Sequence, residues 1–402
     1  MDADLAPQPE RQEFLDRLHT LYQTLQAQPQ PWDAALIIDK VNQYYFTGTM
    51  EDGVLVLLAD GSYAYFVRRS LERAEQECQI DNLYPMHSYA DIFKFLGKRL
   101  ESVYLETEIV TYGLLQRLRK HLGCRDILVL DGWIAVQRSR KSPYELVVIR
   151  ESGRQHQYLL DSIVPSLLKE GINEADFLGD LYAAMVHLGY QGVSRFAMFQ
   201  TDMVAGQIGF GENSLYPTCF DGPGGMKGMS PAVPLIGDRQ RRLQTGDLVF
   251  VDIGYGILGY HTDRTQVYML GSQPSDETMA WHRQCRAVQR QTAQLLRPGN
   301  IPAEIYAQVM AGLSADFLEN FMGYGNRRVK FLGHGVGLQV DEYPVISAGF
   351  EQPLEESMVL AIEPKRGVTG VGMVGVEDTY LVTAAGGQCL TGGEQDIQVI
   401  RP

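Results

Sequence analysis

The sequence predicts a mixed α/β (α+β) protein in two parts: a smaller α/β domain with a helical leader over residues 1–137, and a larger domain over residues 138–402. Three observations carry that expectation. Strand-like and helix-like patterns alternate over about a hundred residues from Asp33, the texture of a small α/β domain. A basic connector, QRSRKSPYELVVIRESGRQ, then feeds a long helical pattern and puts the boundary near Arg138. Beyond it, hydrophobic runs of sheet character return, several of them carrying an acid.

Taken in order, Phe14, Leu18, Leu21 and Leu25 recur at helical period, and QAQPQPW breaks the pattern with prolines. AALII and QYYFTG read as strands, and VLVLLADGSYAYFV reads as a hairpin turning at Asp60-Gly61. RRSLERAEQE reads as a helix, Val103 to Glu106 as a strand, Leu114 to His121 as a helix and ILVL from Ile127 as a strand. Past the boundary, Pro143 suits a first helical turn, and Leu146, Ile149 and Leu159-Leu160 continue an apolar face. Asn173 is placed to cap a helix in which Phe177, Leu181, Met185 and Leu188 repeat. After the glycine- and proline-rich FDGPGGMKGMSPAVP, strands are expected at LVFVDI, TQVYML, MVLAI and MVGVEDTYLV.

Composition narrows the function classes. With 45% apolar and 21% charged residues over 402 positions, the chain is an ordinary globular one. No apolar run approaches the roughly 18 residues that cross a bilayer, so no membrane partner is expected. The polar, acidic start MDADLAPQPERQEF resembles no secretory or transit signal, and the expected location is cytoplasmic. A net charge of −14 argues against nucleic acid. The short basic runs Arg138 to Lys141 and Arg239 to Arg242 read as solvated faces. Five cysteines without C-x-x-C spacing are expected as buried free thiols.

The chemistry is expected in the C-terminal part. Asp252 lies in VFVDIG, Asp263 in GYHTDRT, His334 in LGHGVG, Glu363 in LAIEPK and Glu377 in VGVEDTY. A carboxylate within a buried strand is costly unless something compensates it. Several acids at the ends of neighbouring strands would repel one another and protonate. Two divalent cations solve this, because four carboxylates carry about the charge that two such ions neutralise. Oxygen-rich donors with one imidazole suit Mn²⁺, Co²⁺, Fe²⁺ or Zn²⁺, with manganese favoured.

These residues carry a resemblance. Asp252, Asp263 eleven residues on, then His334, Glu363 and Glu377, in GDLVFVDIGYGILGYHTDRT, GHGVGL, MVLAIEP and GVEDTYLVT, resemble the pita-bread superfamily of metallopeptidases, roughly from Lys141 to Thr391. ALIIDKVNQYYFTGT resembles the creatinase-type N-terminal domain and points to the prolidase, aminopeptidase P and creatinase branch. The resemblance implies a curved antiparallel sheet covered by helices and a homodimer. It also implies metal binding by Asp252, Asp263, His334, Glu363 and Glu377. Asp263 and Glu377 would bridge two metals, and Glu363 would be both ligand and base.

Two histidines of the proline-specific members are missing. One belongs 17 residues before Asp252, where Leu235 stands, and the other just before the glutamate of H-E-x-P, where Asp341 stands in DEYP. Leu235 and Asp341 are therefore expected at the substrate. As a carboxylate, Asp341 would repel an oxyanion and favour a cationic or donor group. His261, two residues before Asp263, shares its face on a regular strand and is a candidate substitute imidazole. The glycine-rich FDGPGGMKGMSPAVP reads equally as a substrate wall or as a turn packed close to the sheet. The expected activity is metal-dependent amide hydrolysis of a small peptide. Hydrolysis of a non-peptide C–N bond, a lyase reaction on another small molecule, or a metal-binding relative without turnover remain as alternatives.

Overall fold

The computed structural model describes residues 9–198, 201, 203–393 and 396–401. The chain divides between Arg138 and Ser139 into two compact units. In the N-terminal unit, β1 (Ala34–Ile37), β2 (Gly53–Leu58), β3 (Tyr63–Val67), β4 (Leu83–Pro85), β5 (Leu100–Leu105) and β6 (Gly123–Val129) form one mixed sheet, ordered β4-β3-β2-β1-β5-β6. The β2–β3 hairpin turns at Asp60-Gly61, where Gly61 takes a positive φ of 86° that a side chain would resist. QYYFTG departs from its strand pattern: Gln43 to Thr47 lie in the helix Lys40–Thr47 and Gly48 caps it. Local chemistry decides this: Asp39 accepts from the Asn42 N–H at the N-terminus, and Gly48 closes the other end in left-handed geometry.

The C-terminal unit opens with the helix Pro143–Tyr158, started by a reciprocal Ser142–Glu145 cap and by Pro143 in its first turn. Its strands are β7 (Gly206–Phe210), β8 (Leu248–Ile257), β9 (Tyr260–Leu270), β10 (Gly323–Tyr324), β11 (Arg327–Arg328), β12 (Gly333–Gly335) and β13 (Glu342–Val345). There follow β14 (Val359–Ile362), β15 (Lys365–Val368), β16 (Gly372–Gly375), β17 (Asp378–Thr383), β18 (Gly386–Cys389) and β19 (Gln398–Ile400). One sheet is ordered β19-β9-β8-β7 and another β13-β12-β14-β17-β18, antiparallel throughout except at β19. An isolated bridge between Thr265 and Glu377 ties the two sheets together. The helix Pro143–Tyr158 packs on β8 and β9, and the helix Asp276–Gln294 packs on β14, β15, β16 and β18.

Burial explains why this unit holds together. Every residue of β8 and β9 is buried, and one apolar core beneath β14 and β17 gathers Cys285, Val288, Phe317, Leu332, Leu360 and Ile362. MVGVEDTYLV is not one strand: it splits at Val376-Glu377 into β16 and β17. Arg138 and Lys141 correct another expectation, since both are buried rather than solvated. Lys141 Nζ is 3.1 Å from Glu342 Oε2, so its charge is compensated inside the fold. All five cysteines are free thiols: Cys124 and Cys285 are buried, Cys78 and Cys389 half-buried, and Cys219 is exposed. No helix among the described residues is long and apolar enough to cross a membrane.

Candidate metal centre

Strand register brings the acids together. In the β8–β9 hairpin Asp252 pairs with Thr265 and Gly254 with Asp263, so the two aspartates sit diagonally on one face. That is the structural meaning of their eleven-residue spacing. On the other sheet Ile362 pairs with Asp378, and one step further along the same register Glu363 stands across from Glu377. His334 pairs with Ala361, which puts its ring on the same face as Glu363. Thr379 Oγ1 locks the sheets in this alignment, accepting from the Asp263 N–H at 2.9 Å and donating to the Asp263 carbonyl at 2.9 Å.

His334 Nε2 lies 3.3 Å from Glu363 Oε1, 3.8 Å from Glu377 Oε1 and 4.0 Å from Asp263 Oδ2. Donor atoms of Asp263, His334 and Glu377 fall within 4.8 Å of one another, close enough to share one ion. Glu377 Oε1 is buried without a hydrogen-bond partner, a cost that a cation at this place removes. Electrostatics points the same way. Burial, reinforced by the Asp252 charge, pushes the Asp263 carboxyl up to about 8, and burial beside Asp263 raises Glu377 as well. Burial alone would lower His334, but its hydrogen bond to Glu363 and the surrounding acids push it up to about 9. A divalent ion would reverse these shifts by favouring the ionised carboxylates and the neutral imidazole. The residues on this side therefore fit a metal.

The other side holds a residue that the sequence reading did not single out. The ammonium of Lys365 is 2.8 Å from Asp252 Oδ2, 2.9 Å from Glu363 Oε2 and 2.7 Å from Glu377 Oε2. Lys365 is completely buried, and the three carboxylates raise its pKa well above the ordinary value although burial alone would lower it. In IEPK the lysine stands two residues after Glu363, across the Pro364 break between β14 and β15, so its own run does not reveal that it meets Asp252 and Glu377. Burial would also raise Glu363, but Lys365 and the His334 hydrogen bond outweigh it and hold this carboxyl below its usual range.

The centre forms the floor of a cavity of about 400 Å³, within the usual size of a small-molecule site. Phe196, Phe220 and Phe331 give it aromatic walls, with the rings of Phe196 and Phe220 edge-on at 5.1 Å. Asp341 lines it too, its Oδ1 accepting from the Ala197 N–H at 2.7 Å; burial raises its pKa while that bond opposes the shift. Both readings of the glycine-rich segment hold. Phe220 to Gly222 line the cavity, whereas a Cβ on Gly224 would lie 2.4 Å from Gln207 Oε1 and 2.9 Å from the Phe250 ring.

Two expected residues are not brought to the site. His261 is buried with Nε2 2.9 Å from the Val193 carbonyl and Nδ1 3.2 Å from the Gly337 carbonyl, and it does not line the cavity. Strand parity with Asp263 was right, but neighbouring loop carbonyls capture the ring, so His261 does not supply the missing imidazole. Leu235 is buried and likewise lies outside the cavity lining.

Acids converging on an imidazole beneath an apolar cavity define a metallohydrolase-type centre. Metallopeptidase family M24 matches residues 148–384, more than half of the chain, and the creatinase/prolidase N-terminal domain matches residues 17–140. The chain belongs to metallopeptidase family M24, and its centre is accordingly one for divalent metal. A Xaa-Pro dipeptidase of Pyrococcus furiosus is 25% identical over 367 residues, covering 91% of this chain and 95% of that protein. An uncharacterized peptidase of Staphylococcus aureus is 26% identical over 89% of this chain and 94% of its own length. The crystal structure of the prolidase from Pyrococcus horikoshii OT3 superposes with a TM-score of 0.77 at 23% identity, over 95% of this chain and 99% of that one. This likeness carries the pita-bread fold.

Proposed function

We propose that the chain hydrolyses an amide bond in a small peptide, with a Xaa-Pro dipeptide as the first substrate class to try. The carrying observation is the convergence of His334, Asp263, Glu363 and Glu377 on the floor of an apolar cavity. Asp263, His334, Glu363 and Glu377 would hold a divalent ion, manganese being the favoured one for this donor set. When bound, such an ion supplies an acidified water and polarises the scissile carbonyl. Glu363, kept ionised by Lys365 and His334, takes the proton of the attacking water and returns it to the leaving amine. Phe196, Phe220 and Phe331 seat an apolar ring such as that of proline and exclude water. Asp341 faces the cavity with a carboxylate that favours the free amino group of a dipeptide.

A homodimer is part of this proposal, and light scattering of the full chain checks it. A second reading, cleavage of a non-peptide C–N bond, is favoured by one specific observation: His334 is the only histidine lining the cavity among the described residues. The deciding experiment is turnover of a panel of Xaa-Pro dipeptides and tripeptides by Mn²⁺-loaded protein beside Glu363→Gln. Peptide cleavage that falls on the order of 10²–10⁴-fold in that variant supports the peptidase. No cleavage by protein shown to hold its metal moves the assignment to the second reading.

A further inference from the structure

Lys365 divides the centre in two. On its side, the Asp252, Glu363 and Glu377 oxygens each accept one hydrogen bond from the ammonium, which has three protons to give and three acceptors in place. The remaining oxygen of Asp252 is also engaged, accepting from Thr265 Oγ1 at 2.7 Å. On the opposite side, Glu377 Oε1 has no hydrogen-bond partner, while Glu363 Oε1 and Asp263 Oδ2 face His334. The first side is a completed cation site, and the second is a site still wanting its cation.

We propose that Lys365 is a resident cation that fills one of two cation positions in this centre, so that the chain binds one divalent ion rather than two. The inference rests on the metal-centre reading above and deepens it. A second ion would need the oxygens of Asp252 and Glu377 that the ammonium already occupies, and like charges so close in a buried site repel strongly. Nor can the lysine readily step aside. Its Nζ lies 5.9 Å from the centre of the Phe250 ring. Across the strand pair it faces Gly375, where an added Cβ would come within 2.6 Å of the Lys365 Cα and 3.1 Å of its Cγ. The stem is packed where no larger residue could stand opposite. Lys365 does not line the cavity, so it is a positioning residue: it orients Asp252, Glu363 and Glu377 and touches no substrate.

The test is metal stoichiometry, which a merely structural lysine would not set. Full-length protein is stripped with a chelator, titrated with Mn²⁺, and read by native mass spectrometry and electron paramagnetic resonance. The expected result is one Mn²⁺ per wild-type chain, with the spectrum of an isolated ion. Lys365→Gly, and Lys365→Ala as a second variant, are expected to take up two equivalents and show a spin-coupled pair. Two ions in the wild type overturn the resident cation while leaving the metal centre standing. A folded variant that still binds one ion overturns it as well. No ion in the wild type at saturating Mn²⁺, with the variants equally empty, overturns the metal-centre reading and this inference with it. The wild-type measurement decides even where both variants fail to fold.

Discussion

Single side chains set what the cavity accepts. Asp341 presents its carboxylate to the cavity and is steadied by the Ala197 N–H. Asp341→Asn keeps an acceptor for that N–H but removes the charge. KM for dipeptides with a free α-amine is expected to rise roughly five- to tenfold, the worth of about 1 kcal/mol, with N-acetylated peptides little changed. An equal loss for both classes would assign Asp341 to packing instead. Asp252, Glu363 and Glu377 were legible in the sequence because each follows a hydrophobic run, where an acid needs compensation, whereas Asp263 in the polar GYHTDRT stood out only through the motif it shares with the family. Lys365 was not legible from its own run. Its meaning depends on Asp252 and Glu377, which lie 113 and 12 residues away and meet it only through the strand register. His261 misled for the converse reason: position along a strand says which face a side chain leaves, not which neighbours intercept it. Leu235 was placed by motif spacing alone, and spacing through a stretch without regular strand does not fix where a side chain lies.

At the scale of elements, the break between β16 and β17 positions the centre. Gly375 adopts a φ of 136°, and a Cβ there would lie 2.4 Å from the Pro364 carbonyl oxygen. The kink lets the chain pass Lys365 and turn Glu377 inward in two residues. Gly375→Ala is expected to cost about 1–3 kcal/mol of strain and to weaken Mn²⁺ binding through misplacement of Glu377. Thermal unfolding and metal titration measure the two effects separately; a stable variant with wild-type affinity would show that the kink is dispensable. The hydrophobic pattern could not reveal this break, because the run from Met373 to Val382 is apolar enough to read as one strand. QYYFTG failed in a similar way: its aromatic residues suggested a strand, while the Asp39 cap that starts a helix lies before the pattern and its final Gly48 is the cap that ends one.

At the scale of the whole molecule, two compact units should answer to two different controls. The residues proposed to hold the divalent ion all lie in the C-terminal unit, so chelation should lower that transition in calorimetry and leave the other in place. The N-terminal unit carries a pH control. Glu106 accepts hydrogen bonds from the Ile38 and Asp39 N–H groups and from Asn42 Nδ2, yet burial outweighs them and pushes its carboxyl up to about 7. Because the folded value exceeds the unfolded value near 4.5, the fold holds a proton that the open chain has released. Its contribution is therefore complete below that lower value and is lost as pH rises towards 7. The stability advantage of wild type over Glu106→Gln should shrink between pH 5 and pH 8, and an advantage that grows would refute the assignment. The three hydrogen bonds of Lys365, finally, bear on how such a protein lives with a fluctuating ion supply. Buried acids with no cation among them would repel one another and loosen the strands that carry them. Here a side-chain ammonium holds three of the acids together before any ion arrives, so the unloaded centre is expected to keep its shape.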